Sequence, residues 1–433
     1  MLAKKPYFYY NQAVIQSLRN KTYHLLRRSE DFFKTDMVYL AKGGLWLTLF
    51  QIFSAVIALS LSVVFANFFP KHEFGIYKYV ISAAGIIGAF SLTGLGTAVT
   101  KAVSEGYDGT LREGYWTNLK WSGGIIIISL GLALYYFFNE NAVLAASFII
   151  IALTAPVINS TSLFTSFLNG KKDFKRTTLY GTLKNIFTTL PLIIAIFITS
   201  QPLVIILIYF ASSALSGLIF YLLTIKIYKI PETSNAETTS YAKHLSLMSV
   251  LNIIAENVDK VVVFQYVGAV ELAIYTFATA IPVQIKSGLK NIYQLAFPKF
   301  TLRSLTELKK EMPRKIIIFF LVTLPIAIAY VLSAPTIFTI LFPKYLDAVI
   351  YSQVFSIGLL FYSSLFLTTA LQSQKMIPQL YKANLFSAIS KIISLAIFVF
   401  FFGLWGVIIA RVANEAISLI INSILFFSAK ESS

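Results

Sequence analysis

Residues 43–69 read GGLWLTLFQIFSAVIALSLSVVFANFF, 27 positions without one charge. A helix rises about 1.5 Å per residue and a bilayer's hydrocarbon core is about 30 Å thick, so roughly 20 apolar residues cross it. A soluble helix has no use for so long an uncharged run. Working outward, comparable runs recur to residue 428, near 78–101, 119–138, 143–168, 179–199 and 203–226, then 243–267, 270–295, 315–340, 347–372, 379–402 and 405–428. With the first, they make twelve spans in two sets of six. Over the 433 residues, 57% are hydrophobic and 13% charged, too few charges to keep a soluble surface of this size in water.

The two sets are separated by a polar stretch containing Pro231-Glu232-Thr233-Ser234-Asn235, a flexible linker composition. The expected organisation is a basic arm (1–42), a first lobe (43–226), a linker (227–242), a second lobe (243–428) and a short tail (429–433). Lys and Arg accumulate on the untranslocated side. With both termini cytoplasmic, the outward segments hold only Lys71, Lys78 and Lys344, whereas Lys171, Lys172, Lys175 and Arg176 share one inward loop. A shift by one span destroys that asymmetry. The expected location is therefore the cytoplasmic membrane, with both termini inside.

The net charge of +17 is compatible with nucleic acid, but its distribution follows membrane topology instead. The arm, with Leu18, Leu25, Leu26, Phe32 and Phe33 among Arg19, Lys21, Arg27, Arg28 and Lys34, is either a helix lying on anionic lipid or a basic tail that only fixes topology. A short repeat links the lobes. Val63-Val64-Phe65 and Glu73-Phe74-Gly75-Ile76-Tyr77 return about 198 positions later as Val262-Val263-Phe264 and Glu271-Leu272-Ala273-Ile274-Tyr275. Both copies fall at the outward end of a lobe's first helix, the pattern of a parallel repeat.

Ionisable groups within hydrocarbon are expensive and normally face a cavity or a partner. The second lobe holds a cluster of them. Asn252, Glu256, Asp259 and Lys260 share a helical face in the seventh span, Lys286, Lys290 and Gln294 in the eighth. Asn384, Ser387, Lys391 and Ser394 share one in the eleventh, and Arg411, Asn414, Glu415, Ser418 and Asn422 one in the twelfth. Such stripes act as glue between helices or as the wall of a hydrated cavity; four together favour the cavity. Glu256 with Lys260, and Arg411 with Glu415, have the spacing to neutralise each other along one helix. In the first lobe Lys184 shares a face with Thr177, Tyr180 and Thr188, and Asn159 to Ser162 make a polar patch. Lys184, Lys260, Lys286, Lys290, Lys391 and Arg411 outnumber Glu256, Asp259 and Glu415, an excess that suits a phosphate-bearing cargo.

Catalytic signatures are missing. The chain has no cysteine, no P-loop pattern and no metal-ligand spacing of His, and His24, His72 and His244 lie at or outside membrane edges. The enzymatic alternative is a membrane glycosyltransferase using Glu73, but the outward loops are too short to fold a catalytic domain. A transporter that is not an enzyme is expected.

Phe65 to Lys101, with Phe74-Gly75-Ile76-Tyr77 and Thr93-Gly94-Leu95-Gly96-Thr97-Ala98, resembles the amino-terminal pattern of Wzx-type polysaccharide flippases. These belong to the multidrug/oligosaccharidyl-lipid/polysaccharide (MOP) exporter superfamily. Asn257-Val258-Asp259-Lys260 followed by Gly268 and Ile274-Tyr275, Phe297-Pro298, and Leu341-Phe342-Pro343-Lys344-Tyr345 resemble its later spans. The resemblance implies an all-α membrane protein of about twelve helices, in two six-helix lobes around a cavity that opens alternately to each side. It implies a polyprenyl-pyrophosphate-linked oligosaccharide as cargo, membrane lipid and the polymerase and glycosyltransferases of surface polysaccharide synthesis as partners, and drive from an ion gradient (Na+ or H+) or the membrane potential rather than ATP, without a cofactor. Family members often carry arginines in the first helices; this first span has none. Lys286 and Lys290 then stand in for head-group capture, with Lys391, Arg411 and Lys184 along the lumen, and Glu256, Asp259 and Glu415 are candidates for ion coupling. The alternative is an ion-coupled drug or cation antiporter of the same fold.

Overall fold

The computed structural model describes residues 37–231 and 237–429. Most of the basic arm, the middle of the linker, the end of the tail and His24 lie outside the described residues. All regular elements among those described are helical. The first lobe comprises α1 (Met37–Phe68), α2 (Lys71–Gly88), α3 (Leu95–Ser104), α4 (Thr110–Trp121), α5 (Gly123–Phe138), α6 (Ala142–Thr161), α7 (Leu163–Gly170), α8 (Phe174–Ile198) and α9 (Pro202–Tyr228). The second comprises α10 (Glu237–Tyr266), α11 (Ala269–Thr301), α12 (Leu305–Leu341), a 3-10 turn (Pro343–Ala348), α13 (Val349–Ser356), a 3-10 stretch (Ile357–Phe361), α14 (Ser364–Ser373) and α15 (Ile377–Ser428).

Local chemistry sets the starts of these helices. Asn141 accepts from the Leu144 amide to cap α6, and Asp173 accepts from the Arg176 amide to cap α8. Ser304 and Glu307 form a reciprocal capping box at α12. Pro202 occupies the first turn of α9, where its missing N–H costs nothing. Large apolar side chains such as Phe138, Ile198, Leu332 and Phe400 point outward and are mostly exposed. That is the surface of a protein whose solvent is lipid.

Among the described residues, eight helical segments are long and apolar enough to cross a membrane. One of them, α15, is 52 residues long and accounts for the last two spans read in the sequence. Gly403 sits at φ +53° inside it, and a Cβ on Gly406 would lie 1.9 Å from the Phe398 carbonyl oxygen. Eight residues of straight helix span about 12 Å, so the chain folds back there into two arms, 377–402 and 404–428. The α2–α3 pair, α10 and α11 match the remaining three spans and carry polar and charged residues along them. The single helix expected over 78–101 is broken between α2 and α3. Gly94 donates its amide to Ser246 Oγ (2.9 Å) and its α-carbon packs against Leu245 and Ala242 of α10, a contact an unbroken helix would not bring there.

The lobes meet along a seam of α2 and α3 against α10 and α11. A Cβ on Gly75 would lie 1.9 Å from the Ala269 carbonyl oxygen, one on Gly85 would press on the Asn257 side chain, and one on Gly94 on Leu245. At the end remote from the linker, one continuous apolar cluster joins both lobes, with Phe74 stacked on Phe277 and Tyr79 on Phe264. Gln265 donates there to both Tyr79 and Tyr136, and Lys71 pairs with Asp347 at 2.8 Å. Toward the linker end each lobe keeps its own cluster. Contact between lobes there is mainly of α3 and α4 against α10, and the described residues in the second half of α11 include the exposed Ser287, Gly288, Lys290 and Thr301. The lobes are packed over a continuous apolar cluster remote from the linker, the closed end, and are joined beside it mainly through α3 and α4 against α10, the more parted end.

Candidate functional site

The charged stripes of the second lobe converge where α10, α11, α13 and the two arms of α15 pack. The fold-back at Gly403 sets the register: Lys391 on the first arm and Arg411 on the second both reach α10. Asp259 is 2% exposed; its carboxylate accepts from the Tyr275 hydroxyl at 2.6 Å and faces Arg411 Nε at 3.5 Å. Lys391, also buried, donates to the Ala255 carbonyl one turn below Asp259. One turn along α15 from Arg411, Glu415 accepts from Lys286 of α11 at 2.6 Å. Lys286 lies over the rings of Phe355 and Tyr362, at 5.2 and 5.4 Å, and Arg411 shares Phe355.

The backbone beside this pair is irregular. The tenth span changes from α13 through the 3-10 stretch to α14 there, and Gly358 leaves room for the Lys286 and Glu415 side chains. The Tyr362 carbonyl exposed by that break is satisfied by the Tyr293 hydroxyl at 2.9 Å. Non-helical backbone at membrane depth survives only where it is buried in protein or lines a cavity with its polar groups met.

Of the residues picked from the sequence, Lys286, Lys391, Arg411, Asp259 and Glu415 are thus drawn into one network, with Asp259, Lys286 and Lys391 buried and Arg411 and Glu415 half-buried. The ion pairs in it run between helices: Arg411 meets Asp259 and Glu415 meets Lys286, rather than Arg411 meeting Glu415 along one helix. Glu256 is exposed on α10 and Lys260 half-buried, with no ion pair between them among the described residues. Lys290 is exposed on the parted half of α11. Lys184, in the first lobe, is half-buried with its ammonium 5.9 Å from the Phe164 ring. Neither is brought to the network. Tyr275, Phe355 and Tyr362 were missed as site residues. Tyr275 was visible only as a repeat marker, although the turn at Gly268 returns α11 alongside α10 and sets it opposite Asp259.

Chemically, the buried Lys286 and Lys391 and the half-buried Arg411 share the buried Asp259 carboxylate, the half-buried Glu415 carboxylate and one carbonyl. Each carboxylate holds a cation belonging to another helix, so protonating it or occupying it with a metal ion would release an ammonium or guanidinium from its partner. Such groups are the usual elements of intramembrane ion pathways.

The helices, their two-lobed seam and the buried charges define a polytopic, all-helical membrane protein. An outward-facing MATE-family multidrug resistance transporter of the MOP superfamily is 15% identical, over 88% of this chain and 93% of that one, with a TM-score of 0.57. Its inward-facing conformation is 14% identical over 86% and 94%, with a TM-score of 0.58. The lipid II flippase MurJ in an inward closed conformation is 16% identical over 88% and 86%, with a TM-score of 0.60. At these identities the likeness is one of fold. Residues 40–304 match the model of the polysaccharide biosynthesis protein family, well over half of the chain, and the protein belongs to that family. No curated protein matches it in sequence.

Proposed function

We propose that the protein is a flippase that carries a polyprenyl-pyrophosphate-linked oligosaccharide across the cytoplasmic membrane by alternating access, for surface polysaccharide synthesis. The observation that carries this reading is the excess of cations in the second lobe, where Lys286, Lys391 and Arg411 share only Asp259 and Glu415. A cationic drug would be repelled by that field, and a pyrophosphate drawn to it. Family membership and the fold shared with a lipid II flippase support the same cargo class.

In this reading the exposed Lys290 and the half-buried Lys184 and Lys260 meet the head group while its polyprenyl tail stays in lipid. Lys286 and Arg411 are held back by their carboxylates until Na+ or H+ takes Glu415 or Asp259, and Glu256 is a third acidic group open to the coupling ion. The parted end beside the linker is cytoplasmic, as are both termini. A polymerase and glycosyltransferases act before and after it on the same lipid-linked glycan.

Proteoliposomes containing a polyprenyl-pyrophosphoryl disaccharide test this, with an impermeant glycosidase reporting sugar that reaches the outer leaflet. Translocation should depend on an ion gradient, fall at least tenfold in the Lys184→Ala/Lys290→Ala variant, and change its ion dependence in Glu256→Gln. Ion-driven uptake of a cationic dye with no translocation of the lipid would instead make the protein an antiporter, the reading that its fold likeness to MATE transporters favours.

A further inference from the structure

A second cavity lies in the first lobe, away from the charged network. It has a volume of about 330 Å³ and sits between α2, α4 and the α6–α7 junction, reaching α10 at Ile253. Its polar lining is uncharged throughout: Ser91, Thr93, Asn118, Asn159, Ser162 and Ser166. Three glycines, Gly85, Gly88 and Gly96, also line it, and a Cβ on Gly88 would meet only Asn159, at 3.9 Å. Asn118 is 3% exposed and its Oδ1 has no hydrogen-bond partner. An unmet buried amide oxygen costs about 1–3 kcal/mol unless an ordered water or a ligand group meets it.

The chemistry of this wall is specific. Amides and hydroxyls both donate and accept, as sugar hydroxyl and acetamido groups do, and no carboxylate or cation favours a charged guest. The volume falls at the lower end of small-molecule pockets, room for a ring rather than an ion. The broken joint between α2 and α3 forms one edge, so the same irregular backbone that lets α3 reach α10 opens the cavity. We infer that this cavity is a neutral-sugar subsite, holding one pyranose ring of the lipid-linked head group. The inference rests on the flippase reading, and deepens it by separating sugar recognition in the first lobe from charge recognition in the second.

Gly88 supplies the test, because a Cβ there meets only the Asn159 amide, at 3.9 Å, so a larger side chain fills the cavity without a backbone clash. The full chain in nanodiscs is titrated with bare polyprenyl pyrophosphate, with polyprenyl-pyrophosphoryl-N-acetylglucosamine, and with free N-acetylglucosamine, glucose and galactose, reading tryptophan fluorescence for the free sugars. Wild type should prefer the glycosylated lipid about tenfold, the worth of one or two net hydrogen bonds. Gly88→Leu and Asn118→Leu should erase that preference and leave the affinity for the bare lipid unchanged. A preference that survives in both variants overturns the subsite and leaves the flippase reading standing. Binding of free sugar to wild type but not Gly88→Leu, with neither lipid bound, keeps the subsite and defeats the lipid-linked reading. If neither sugar nor lipid binds, with only water filling the cavity, both fall.

Discussion

Lys286 Nζ lies 2.6 Å from Glu415 Oε1, and this pair ties α11 to the second arm of α15 across the interior of the second lobe. The side chains are 10% and 22% exposed, so neither charge is well hydrated if its partner is removed. Breaking such a pair from one side costs about 3–5 kcal/mol, whereas replacing both members with apolar groups is often neutral. Lys286→Met and Glu415→Leu should each lower the melting temperature of the detergent-solubilised protein strongly, and the double variant should recover most of the loss. A double variant as unstable as the sum of the singles would mean that the two charges are not energetically coupled.

Tyr275 and Asp259 carry a second coupled prediction. The hydroxyl-to-carboxylate bond is 2.6 Å and buried, a charge-assisted bond of the kind worth about 1.5–3 kcal/mol. Tyr275→Phe should destabilise by about that amount in an otherwise native chain, and by much less in an Asp259→Asn background. Chemical denaturation in mixed micelles measures both.

The network also shows what the sequence could and could not reveal. Helix number and the polar faces were legible because a 20-residue apolar length and a 3.6-residue period are local properties of the chain. Partner choice was not. Arg411 and Glu415 are one turn apart and look like a self-neutralising pair, but the fold-back at Gly403 presents them to two different helices, Arg411 to Asp259 and Glu415 to Lys286. Depth in the bundle decides such pairings, and depth depends on where loops turn. The break after Gly88 was hidden for a similar reason: Ala89 to Gly94 carries no charge, so the apolar run 78–101 reads as continuous across it. Only the docking of Gly94 onto α10 requires it.

The cap of α8 makes a pH prediction outside the membrane-spanning segments. Burial works to raise the Asp173 carboxyl, but the Tyr228 hydroxyl (2.6 Å), the Arg176 amide and the Arg176 guanidinium (2.8 Å) outweigh it and hold the carboxyl below its ordinary value. A depressed carboxyl adds stability that is fully present above the unfolded value, about pH 4, and is lost as pH falls through the folded value. Thermal melts between pH 6 and pH 3 should therefore steepen below about pH 4 in the native chain. Asp173→Asn should show a shallower fall over the same window, from a lower starting stability.

Gly75 and Gly85 should differ sharply although both line the seam between lobes. A Cβ at Gly75 meets the Ala269 backbone at 1.9 Å, which cannot yield unless α2 and α11 separate. At Gly85 the nearest atoms belong to the Asn257 side chain, 3.1–3.2 Å away, which a small rotation relieves. Gly75→Ala should thus cost about 1–3 kcal/mol or more and loosen the closed end, and Gly85→Ala well under 1 kcal/mol. Melting temperatures of the two variants in the same detergent rank them.

Under the alternating-access reading, the closed end must open. Its polar latches are few: Lys71 with Asp347 at 2.8 Å, Asn67 donating to the Leu341 carbonyl at 3.0 Å, and Gln265 bridging Tyr79 and Tyr136. The first is solvent-exposed and worth about 0–1 kcal/mol, and the others about 1 kcal/mol each. Their total is small enough for a ligand with modest preference for the opposite state to overcome, whereas the apolar stacking of Phe74 on Phe277 keeps the resting state closed. The chain has no native cysteine, so thiols placed at Asn67 and Leu341 report on this contact alone. A short bifunctional thiol reagent should join them efficiently in the resting protein and stop translocation when it does, with a cleavable linker restoring transport on reduction. Cross-linking that leaves translocation at its native rate would show that the lobes need not part there, and the cargo path would have to lie elsewhere.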